Sequence, residues 1–287
     1  MPQFVESVQD LLPATGRTRL RSVALNLLSG GSEQVPEVPH VQIFNLHHVF
    51  DDETDAFRGF VGKVQVRYKI ASYSDAMKVL QEGPLSEKIA VFSFDDGLES
   101  CFNAAKVLDE FGASGMFFLC PSMQEGANEE DQAKFCEQRL LMQPMRFLSW
   151  AQVEEMKSRG HEFGNHTWSH PRISTISSSQ AAEDIGKGKE VIERRLGECK
   201  HFAWPFGQFE DFSAEAAKTV FELRHESCAS ATRGAHVHPE GRHGCPRRDH
   251  VVAGWQFSHV AYFIRKNVGA AGARKDSWPD GWSEQIG

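Results

Sequence analysis

The sequence predicts an α/β fold in which a parallel sheet curls into a barrel or near-barrel. From Val41 onward, short apolar runs alternate with stretches of helical periodicity, which is the pattern of repeated βα units. The chain length agrees, because 287 residues that are 40% hydrophobic can bury the core of one α/β domain. A stretch rich in Gly, Ser and Pro from Ser29 to Pro39 indicates a linker. We therefore expect an N-terminal extension and linker over residues 1–40 and one domain over residues 41–287.

Seven segments have the length and the apolar character of strands, and helical periodicity fills most of the gaps between them. The first three strands are the clearest, because each contains a nearly continuous apolar run. Ser149 fits the N-cap of a helix that Gly160 would end. The predicted strands are Val41–Leu46, Ile89–Phe94, Gly115–Leu119, His161–Gly164, His201–Trp204, Leu223–Glu226 and Asp249–Val252. The predicted helices are Ser74–Gln81, Cys101–Phe111, Ser149–Arg159, Ser179–Leu196 and Ser213–Phe221.

Composition and charge argue against several classes of protein. The formal net charge of -8 comes from charges scattered along the chain, without a block of Lys and Arg that could follow a phosphate backbone, so no nucleic acid partner is expected. The apolar runs are too short for a membrane span, and the N-terminus has no signal-peptide pattern, so a cytoplasmic location is expected. The six cysteines include no C-x-x-C pair, which favours reduced, structural thiols.

Two adjacent carboxylates follow the second predicted strand. Asp95 and Asp96 come shortly after an apolar run and are followed by Gly97, although strand propensity disfavours Asp. Neighbouring side chains at a strand end project in different directions, so one carboxylate can bind a metal while the other faces the metal's water. A tight turn or a helix cap is the alternative interpretation of an Asp-Gly pair.

A histidine pair follows the fourth predicted strand. His166 and His170 are four residues apart, about one turn if the segment is helical or turn-like, so both imidazoles can meet one ion. The alternative is a surface pair without a ligand role, since the chain contains 13 His.

The two motifs together predict a metal site. Asp96, His166 and His170 supply one carboxylate and two imidazoles and leave coordination positions for water and substrate, as in catalytic rather than structural sites. Zinc is the expected divalent metal on ligand type, and Co²⁺, Ni²⁺, Mn²⁺ or Fe²⁺ would accept the same ligands.

These segments resemble the motifs of the polysaccharide deacetylases, the family that shares the NodB homology domain and forms carbohydrate esterase family 4. Ser93–Gly97 resembles the first motif of the family, His166–His170 the second and Trp204–Gly207 the third. The resemblance covers roughly residues 41–255. It implies a distorted (β/α)7 barrel and makes residues 41–287 a catalytic domain with metal-dependent de-N-acetylase activity.

The resemblance also implies roles for single residues. Asp95 would be the general base, Asp96, His166 and His170 would bind the metal, and the backbone amide of Phe206 would stabilise the oxyanion. His47 and His48 occupy the place of the family's first-strand segment and are expected near the mouth of the site, with burial as ordinary polar groups as the alternative. Trp168, Trp204 and Pro205 are also expected at the substrate, where the aromatic rings could stack on a sugar, and the alternative is that these rings belong to the core.

Two positions of the family lack a clear counterpart. Many members have an Arg that is hydrogen-bonded to the catalytic Asp, and Arg247 is the expected replacement here, with Arg248 as the alternative. The last motif, which normally supplies a histidine general acid, cannot be aligned. The leading candidates, His238 and His243, lie in a Gly-rich loop before the last strand, and two further histidines are available: His236 and His250.

The predicted function is the removal of an acyl group, with acetyl as the expected one, from an amino sugar in surface-glycan or lipopolysaccharide biosynthesis. The expected cytoplasmic location favours a sugar that is carried on a nucleotide, a lipid or a glycan. The same site could instead cleave a formyl group or a small cyclic or linear amide. An inactive glycan-binding relative is the alternative from another class.

Overall fold

The structure is a computed structural model that describes residues 2–11, 24–274 and 276–287. It confirms the predicted α/β fold, a distorted barrel built on a curled parallel sheet of eight strands. Part of the predicted N-terminal extension, residues 12–23, lies outside the described residues. In chain order the strands are β1 (His40–Leu46), β2 (Lys69–Ile70), β3 (Lys88–Phe94), β4 (Gly115–Leu119), β5 (Glu162–Asn165), β6 (His201–Ala203), β7 (Ser227–Ala229) and β8 (Asp249–His250).

Seven of the strands lie side by side in the order β7, β6, β5, β4, β3, β1, β8, and the short β2 pairs with the beginning of β3. The pairs in this row are parallel. The register places Asn45 of β1 opposite Ser93 of β3 and His250 of β8. Because residues that pair in a sheet project to the same face, these three side chains share one face.

The two end strands, β7 and β8, are joined by no ladder within the described part of the chain. Single backbone hydrogen bonds bridge the segments beside them. The amide of Ser230 donates to the carbonyl of Pro246 at 2.9 Å, and the amide of Arg248 donates to the carbonyl of Thr232 at 3.2 Å. The barrel is therefore incompletely closed at this point.

Helices cover the outside of the sheet. They include Thr54–Gln65, Tyr73–Glu82, Cys101–Glu110, Glu129–Phe135, Trp150–Ser158, Ser178–Leu196, Ala214–Glu222, Phe257–Ala271 and Trp282–Ile286. Ser149 caps its helix as predicted, because its hydroxyl accepts from the amide of Gln152. Within the described residues, we find no helix that has both the length and the apolar character for crossing a bilayer.

One predicted strand is misplaced, and three of the described helices with seven or more residues are not predicted. The strand predicted at Leu223–Glu226 is wrong, because the preceding helix extends to Glu222. A turn with the left-handed Arg224 (φ 64°) follows this helix, and β7 begins only at Ser227. The remaining predicted strands overlap the observed ones. The unpredicted helices of seven or more residues are Thr54–Gln65, Glu129–Phe135 and Phe257–Ala271.

The two faces of the sheet are packed differently. One face carries Ile43, Val91 and Phe118 in a cluster that Tyr73 and Leu80, together with other residues, complete. The other face packs against the helices and carries buried aromatic residues, among them Phe44, Phe92 and Phe117. On the first face, the apolar series of β1 and β3 ends with two buried polar residues, Asn45 and Ser93. The interior of the barrel thus becomes polar toward the carboxyl edge of the sheet.

The described parts of residues 1–40 contact the rest of the fold. The amide of Val5 donates to the carbonyl of Pro144 at 2.9 Å, and the amide of Val8 donates to the carboxylate of Asp52. Asn26 accepts from the imidazole of His259 at 2.7 Å. Val5 is itself buried among residues of the core.

A buried histidine links the amino-terminal ends of β6 and β7. The imidazole of His201 lies 3.0 Å from the hydroxyl of Ser227 and 2.9 Å from that of Ser74. Burial lowers the pKa of His201 from 6.5 to about 3. The folded protein therefore keeps this ring neutral at a pH at which the unfolded chain protonates it, and the stability that it contributes above pH 6.5 is lost as the pH falls toward 3.

We predict that His201→Gln weakens the acid sensitivity of the fold. Because the pKa of His201 differs between the folded and unfolded states, the free energy of unfolding falls by about 1.4 kcal/mol for each pH unit below 6.5. His201 should therefore account for about 2 kcal/mol of the stability that is lost down to pH 5. Urea unfolding at pH 7.5 and pH 5.0 measures this loss for the wild type and the variant. The exposed His238, changed to Gln, is the control and should leave the loss unchanged. An equal loss in wild type and His201→Gln would contradict the prediction.

Candidate active site

The predicted metal ligands converge at the carboxyl edge of the sheet. Asp96 follows β3, and His166 and His170 follow β5. Parallel strands bring their carboxyl ends to the same edge, where the active sites of barrels form. One possible ligand atom from each of the three side chains lies within 4.8 Å of the others, and all three residues are buried. The two sequence motifs thus meet in one site.

Backbone carbonyls orient both imidazoles. Nδ1 of His166 lies 2.7 Å from the carbonyl oxygen of Ala203, and Nδ1 of His170 lies 3.2 Å from that of Arg139. Because a carbonyl oxygen only accepts, the neutral imidazoles carry their proton on Nδ1 and leave Nε2 free. Each Nε2 lies 3.4 Å from Oδ1 of Asp96. The three ligand atoms therefore face one another.

This arrangement fits a divalent metal. One carboxylate oxygen and two imidazole nitrogens form a donor set that suits Zn²⁺ and related ions. The carbonyls behind the histidines fix the tautomer in which Nε2 can coordinate. Three protein ligands leave positions for water and substrate, so the chemistry of the donor set agrees with a catalytic metal centre.

The charges of the site favour ionised carboxylates. Burial alone would raise the pKa of Asp96, but its contacts with the imidazoles of His166 and His170 hold the pKa well below the usual range. Burial would lower the pKa of His166, and the charge of Asp95 and the contact with Asp96 raise it instead. The negative charge of the aspartate pair thus attracts a cation, whether a proton or a metal ion.

Backbone strain is concentrated in the loops of the site. Four non-glycine residues in these loops are left-handed: Asp96 (φ 73°), Thr167 (φ 67°), His170 (φ 51°) and Phe206 (φ 63°). Such a conformation costs about 1–2 kcal/mol for each L-residue. Specific contacts stabilise it, since Thr167 Oγ1 accepts from the amide of His170 at 3.0 Å and Asp184 accepts from the amide and hydroxyl of Ser169. Strain at this place is typical of functional sites.

Asp95 lies beside the metal ligands and is bound by an arginine. Nη1 of Arg248 donates to Oδ1 at 2.7 Å, and Nη2 donates to Oδ2 at 2.9 Å. Nδ2 of Asn45 donates to Oδ2 at 2.8 Å. Burial would raise the pKa of Asp95, but the charge of Arg248, with those of His166 and His47, lowers it. Asp95 is therefore held as a carboxylate.

Arg248, rather than the expected Arg247, makes the pair with Asp95. Arg247 donates to the carbonyl of Ser277 at 3.0 Å and lies over the ring of Phe209. The physical reason is strand alternation. His250 pairs with Asn45, so residues 248 and 250 share its face, whereas Arg247 projects to the opposite face.

The two expected general acids, His238 and His243, lie elsewhere in the fold. His238 is exposed and lies two residues beyond His236, whose backbone pairs with Val41 at the beginning of β1. His243 contacts the ring of Phe221 and the carbonyl of Gly287. Both are therefore remote from the carboxyl ends of β3 and β5 that carry the metal ligands.

Two other histidines lie at the carboxyl edge. The rings of His47 and His250 are 5.2 Å apart, and both residues are half-buried. Burial, with the charge of His47, lowers the pKa of His250 to about 3, which leaves it neutral. His48 points toward Glu53, and Nδ1 of His48 lies 2.9 Å from Oε2 of Glu53. His47 thus lies at the carboxyl edge that carries the cluster, and His48 has a structural contact.

The expected aromatic residues are distributed between the site and the core. Phe206 is half-buried, and its ring lies 5.0 Å from that of His170. Trp168 is half-buried under the ammonium of Lys187, and Pro205 is buried. The expectation that Trp204 meets the substrate is contradicted, because its ring is fully buried and stacks on Phe212 at 4.4 Å.

A cleft of about 470 Å³ is bordered by residues that contact His170. Its lining residues all come from the segment 122–139, and Glu125, Phe135 and Arg139 are among them. The ring of Phe135 lies 6.4 Å from that of His170. The cleft therefore opens next to the site on the side of the helix Glu129–Phe135.

Sequence reasoning missed two residues that touch Asp95 or its partner. Asn45 donates to Asp95, and Ser93 donates to Oδ1 of Asn45 at 3.0 Å. The available signal was polarity, since each is a polar residue within an otherwise apolar strand segment and both fall on one face.

Comparison with known proteins agrees with this geometry. Residues 82–220 match the family model described as polysaccharide deacetylase. A peptidoglycan-N-acetylglucosamine deacetylase of Bacillus cereus is 29% identical over 143 residues, 49% of this chain and 56% of that protein. The Bacillus subtilis protein YlxY is 39% identical over 68 residues, 22% of this chain and 21% of that protein. The chain thus matches well under two thirds of the length of these relatives.

Solved structures show the same fold. The Streptococcus pyogenes deacetylase PplD, in complex with acetate, has a TM-score of 0.63 at 17% identity, over 80% of this chain and 99% of that chain. IcaB from Ammonifex degensii has a TM-score of 0.62 at 18% identity, over 81% of this chain and all of that chain. Motifs, family model and fold agree, and they assign residues 82–220 of this chain to the polysaccharide deacetylase family.

Proposed function

We propose that the protein is a metal-dependent hydrolase that removes an N-acyl group, in the first place acetyl, from an amino sugar. The observation that carries the proposal is the ionised Asp95 beside the cluster of Asp96, His166 and His170. A divalent metal held by this cluster, with zinc favoured by the ligand types, would polarise the acyl carbonyl and acidify a water.

Asp95 is the proposed general base, and its contacts select one of its oxygens. Oδ2 already accepts from Arg248 and from Asn45, whereas Oδ1 accepts from Arg248 at short distance. Each carboxylate oxygen has two lone pairs. Oδ1 therefore retains acceptor capacity and is the proposed site that takes the proton of the attacking water.

The backbone amide of Phe206 is the proposed donor to the oxyanion. The left-handed conformation of Phe206 and the contact of its ring with His170 place this residue beside the metal ligands. A well-placed donor to the oxyanion is worth about 3–4 kcal/mol in the transition state.

His47 is the proposed general acid for the leaving amine, in place of His238 and His243. It directly follows β1 at the carboxyl edge, it is half-buried, and its charge acts on both Asp95 and Asp96. A proton held on this imidazole is close to the reacting atoms, which is the first requirement for a general acid.

The proposed substrate is an acylated amino sugar that is linked to a nucleotide, a lipid or a glycan, in surface-glycan or lipopolysaccharide biosynthesis. The relative named as a peptidoglycan-N-acetylglucosamine deacetylase supports the sugar class. A cytoplasmic location and the domain division at residue 40 are part of the same proposal. Mass spectrometry of products from a panel of N-acetyl, N-formyl and ureide substrates tests it, and turnover of the N-acetyl sugars alone is the expected result.

We predict that Asp95→Asn binds metal but loses nearly all turnover. The amide keeps the shape of the side chain and cannot accept the proton of the water, so kcat should fall by about 10²–10⁴. Metal content by elemental analysis and kcat on an N-acetylated amino sugar check the two parts. Full activity of the variant would refute the role of Asp95.

We predict that His166→Ala loses both metal and activity, and that chelation has the same effect on the wild type. The side chain supplies one of three ligand atoms, so its removal should greatly weaken binding of the ion. Metal content after dialysis, and recovery of the chelated wild type on addition of Zn²⁺, are the measurements. The surface His238→Ala is the matched control and should retain metal.

We predict that Arg248→Gln is far more harmful than Arg247→Gln. Loss of Arg248 leaves a buried carboxylate without its ion-pair partner, which should lower the free energy of unfolding by about 3–5 kcal/mol. The guanidinium of Arg247 donates to a carbonyl and lies over a ring, and it pairs with no buried carboxylate within the described residues, so its loss should cost about 1–2 kcal/mol. Urea unfolding of both variants and their kcat give the comparison, and equal losses would contradict it.

A further inference from the structure

We propose that Arg172 is a positioning residue that fixes Phe206, and with it the backbone amide of Phe206, relative to the metal ligands. This inference rests on the proposed hydrolase function for its catalytic consequence. The structural part, that Arg172 holds the loop of Phe206, stands on contacts alone.

Arg172 joins the two loops that carry His170 and Phe206. It lies two residues after His170, and its guanidinium lies 4.1 Å from the centre of the Phe206 ring. The same guanidinium pairs with the carboxylate of Asp211, which is buried at the end of the Phe206 loop. The ring of Phe206 in turn contacts the ring of His170 at 5.0 Å. Side-chain contacts thus connect the metal ligand to the proposed oxyanion donor.

The backbone around Phe206 needs such support. Phe206 and Gly207 are both left-handed, with φ of 63° and 70°. Beyond Phe206 the chain is held, because the carbonyl of Gly207 accepts from the amide of Ala231 at 2.8 Å. Gly207 also packs so closely on Ala231 that a side chain would not fit. Arg172 supplies the contact on the side chain of Phe206 itself.

An arginine suits both contacts at once. The planar guanidinium stacks on an aromatic face while its edge donates to a carboxylate, whereas the ammonium of a lysine is a point charge that cannot do both well. Lysine at this position should therefore retain the charge and lose part of the positioning.

A direct contact with an anionic substrate group is the competing role for Arg172, because 41% of its side chain is exposed. The pair with buried Asp211 argues against this role. The carboxylate of Asp211 is only 4% exposed and neutralises the guanidinium, so the charge is already committed within the protein. Kinetics separate the two roles, since a substrate contact acts on KM and a positioning residue acts on kcat.

Arg146 provides a matched control. Its side chain is 39% exposed and lies 2.7 Å from Oε1 of Glu129, and its guanidinium lies 4.3 Å from the centre of the Phe4 ring. Arg146→Ala therefore removes the same two kinds of contact from a place outside the proposed machinery.

The experiment compares Arg172→Ala, Arg172→Lys and Arg146→Ala in the zinc-loaded full chain. For Arg172→Ala we expect kcat to fall about tenfold, less than the 10²–10³ for removal of an oxyanion donor, with KM and the zinc Kd unchanged within about twofold. Arg172→Lys should give an intermediate kcat, and Arg146→Ala should match the wild type. A higher KM at unchanged kcat, or an unchanged kcat, would overturn the proposal.

Hydrogen exchange provides a readout that needs no turnover. Mass spectrometry of a peptide that covers residues 205–212 should show faster exchange in Arg172→Ala than in the wild type, with no change in Arg146→Ala. If the wild type hydrolyses none of the substrates, the proposed function fails while this measurement still decides the positioning role. Should Arg172→Ala not fold, Arg172→Lys carries the same comparison. Unchanged exchange in the foldable variant would overturn the inference.

Discussion

The site and the barrel both depend on the buried ion pair between Asp95 and Arg248. Moving a single ionised carboxylate into a protein interior costs on the order of several kcal/mol unless an oppositely charged partner and further hydrogen-bond donors compensate for the lost water. Here both oxygens of Asp95 accept from Arg248, and Asn45 adds a third donor. Arg248 is fully buried and lies 5.1 Å from the centre of the Phe118 ring. Each charge is tolerated only because the other is present.

The same arginine spans the open edge of the barrel. Its Nε donates to the carbonyl of Ser230 beyond β7 at 2.8 Å, its own backbone leads into β8, and its Nη atoms reach Asp95 beyond β3. No ladder connects β7 with β8 among the described residues, so this side chain adds to the single backbone hydrogen bonds that link the segments beside the two end strands. The contact that orients Asp95, the proposed base, is also a contact across the open edge of the barrel, which ties the geometry of this carboxylate to the integrity of the fold.

Local features of the sequence predicted the metal cluster, and features that depend on the whole fold were missed. The aspartate pair and the histidine pair each follow a strand that its own residues identify, so their convergence follows from parallel strands. Arg248 is different, because its direction depends on the register of β8 against Asn45, residues far apart in the chain. The proposed general acid, His47, could not be chosen by position near the last strand, because it follows the first strand. Trp204 was misassigned because aromatic character alone does not distinguish a cleft from a core.

Strain in the loops and contacts between the loops are two parts of one arrangement. His170 is left-handed and is oriented by the carbonyl of Arg139, a residue that lines the cleft. Phe206 is left-handed and packs on His170. Each strained residue is thus held by a different element, so relaxation of one loop would require the others to move. A site constrained in this way has its ligand atoms and its backbone donor in place before a substrate binds. Such preorganisation is the condition under which electrostatic stabilisation of a transition state costs no reorganisation during the reaction.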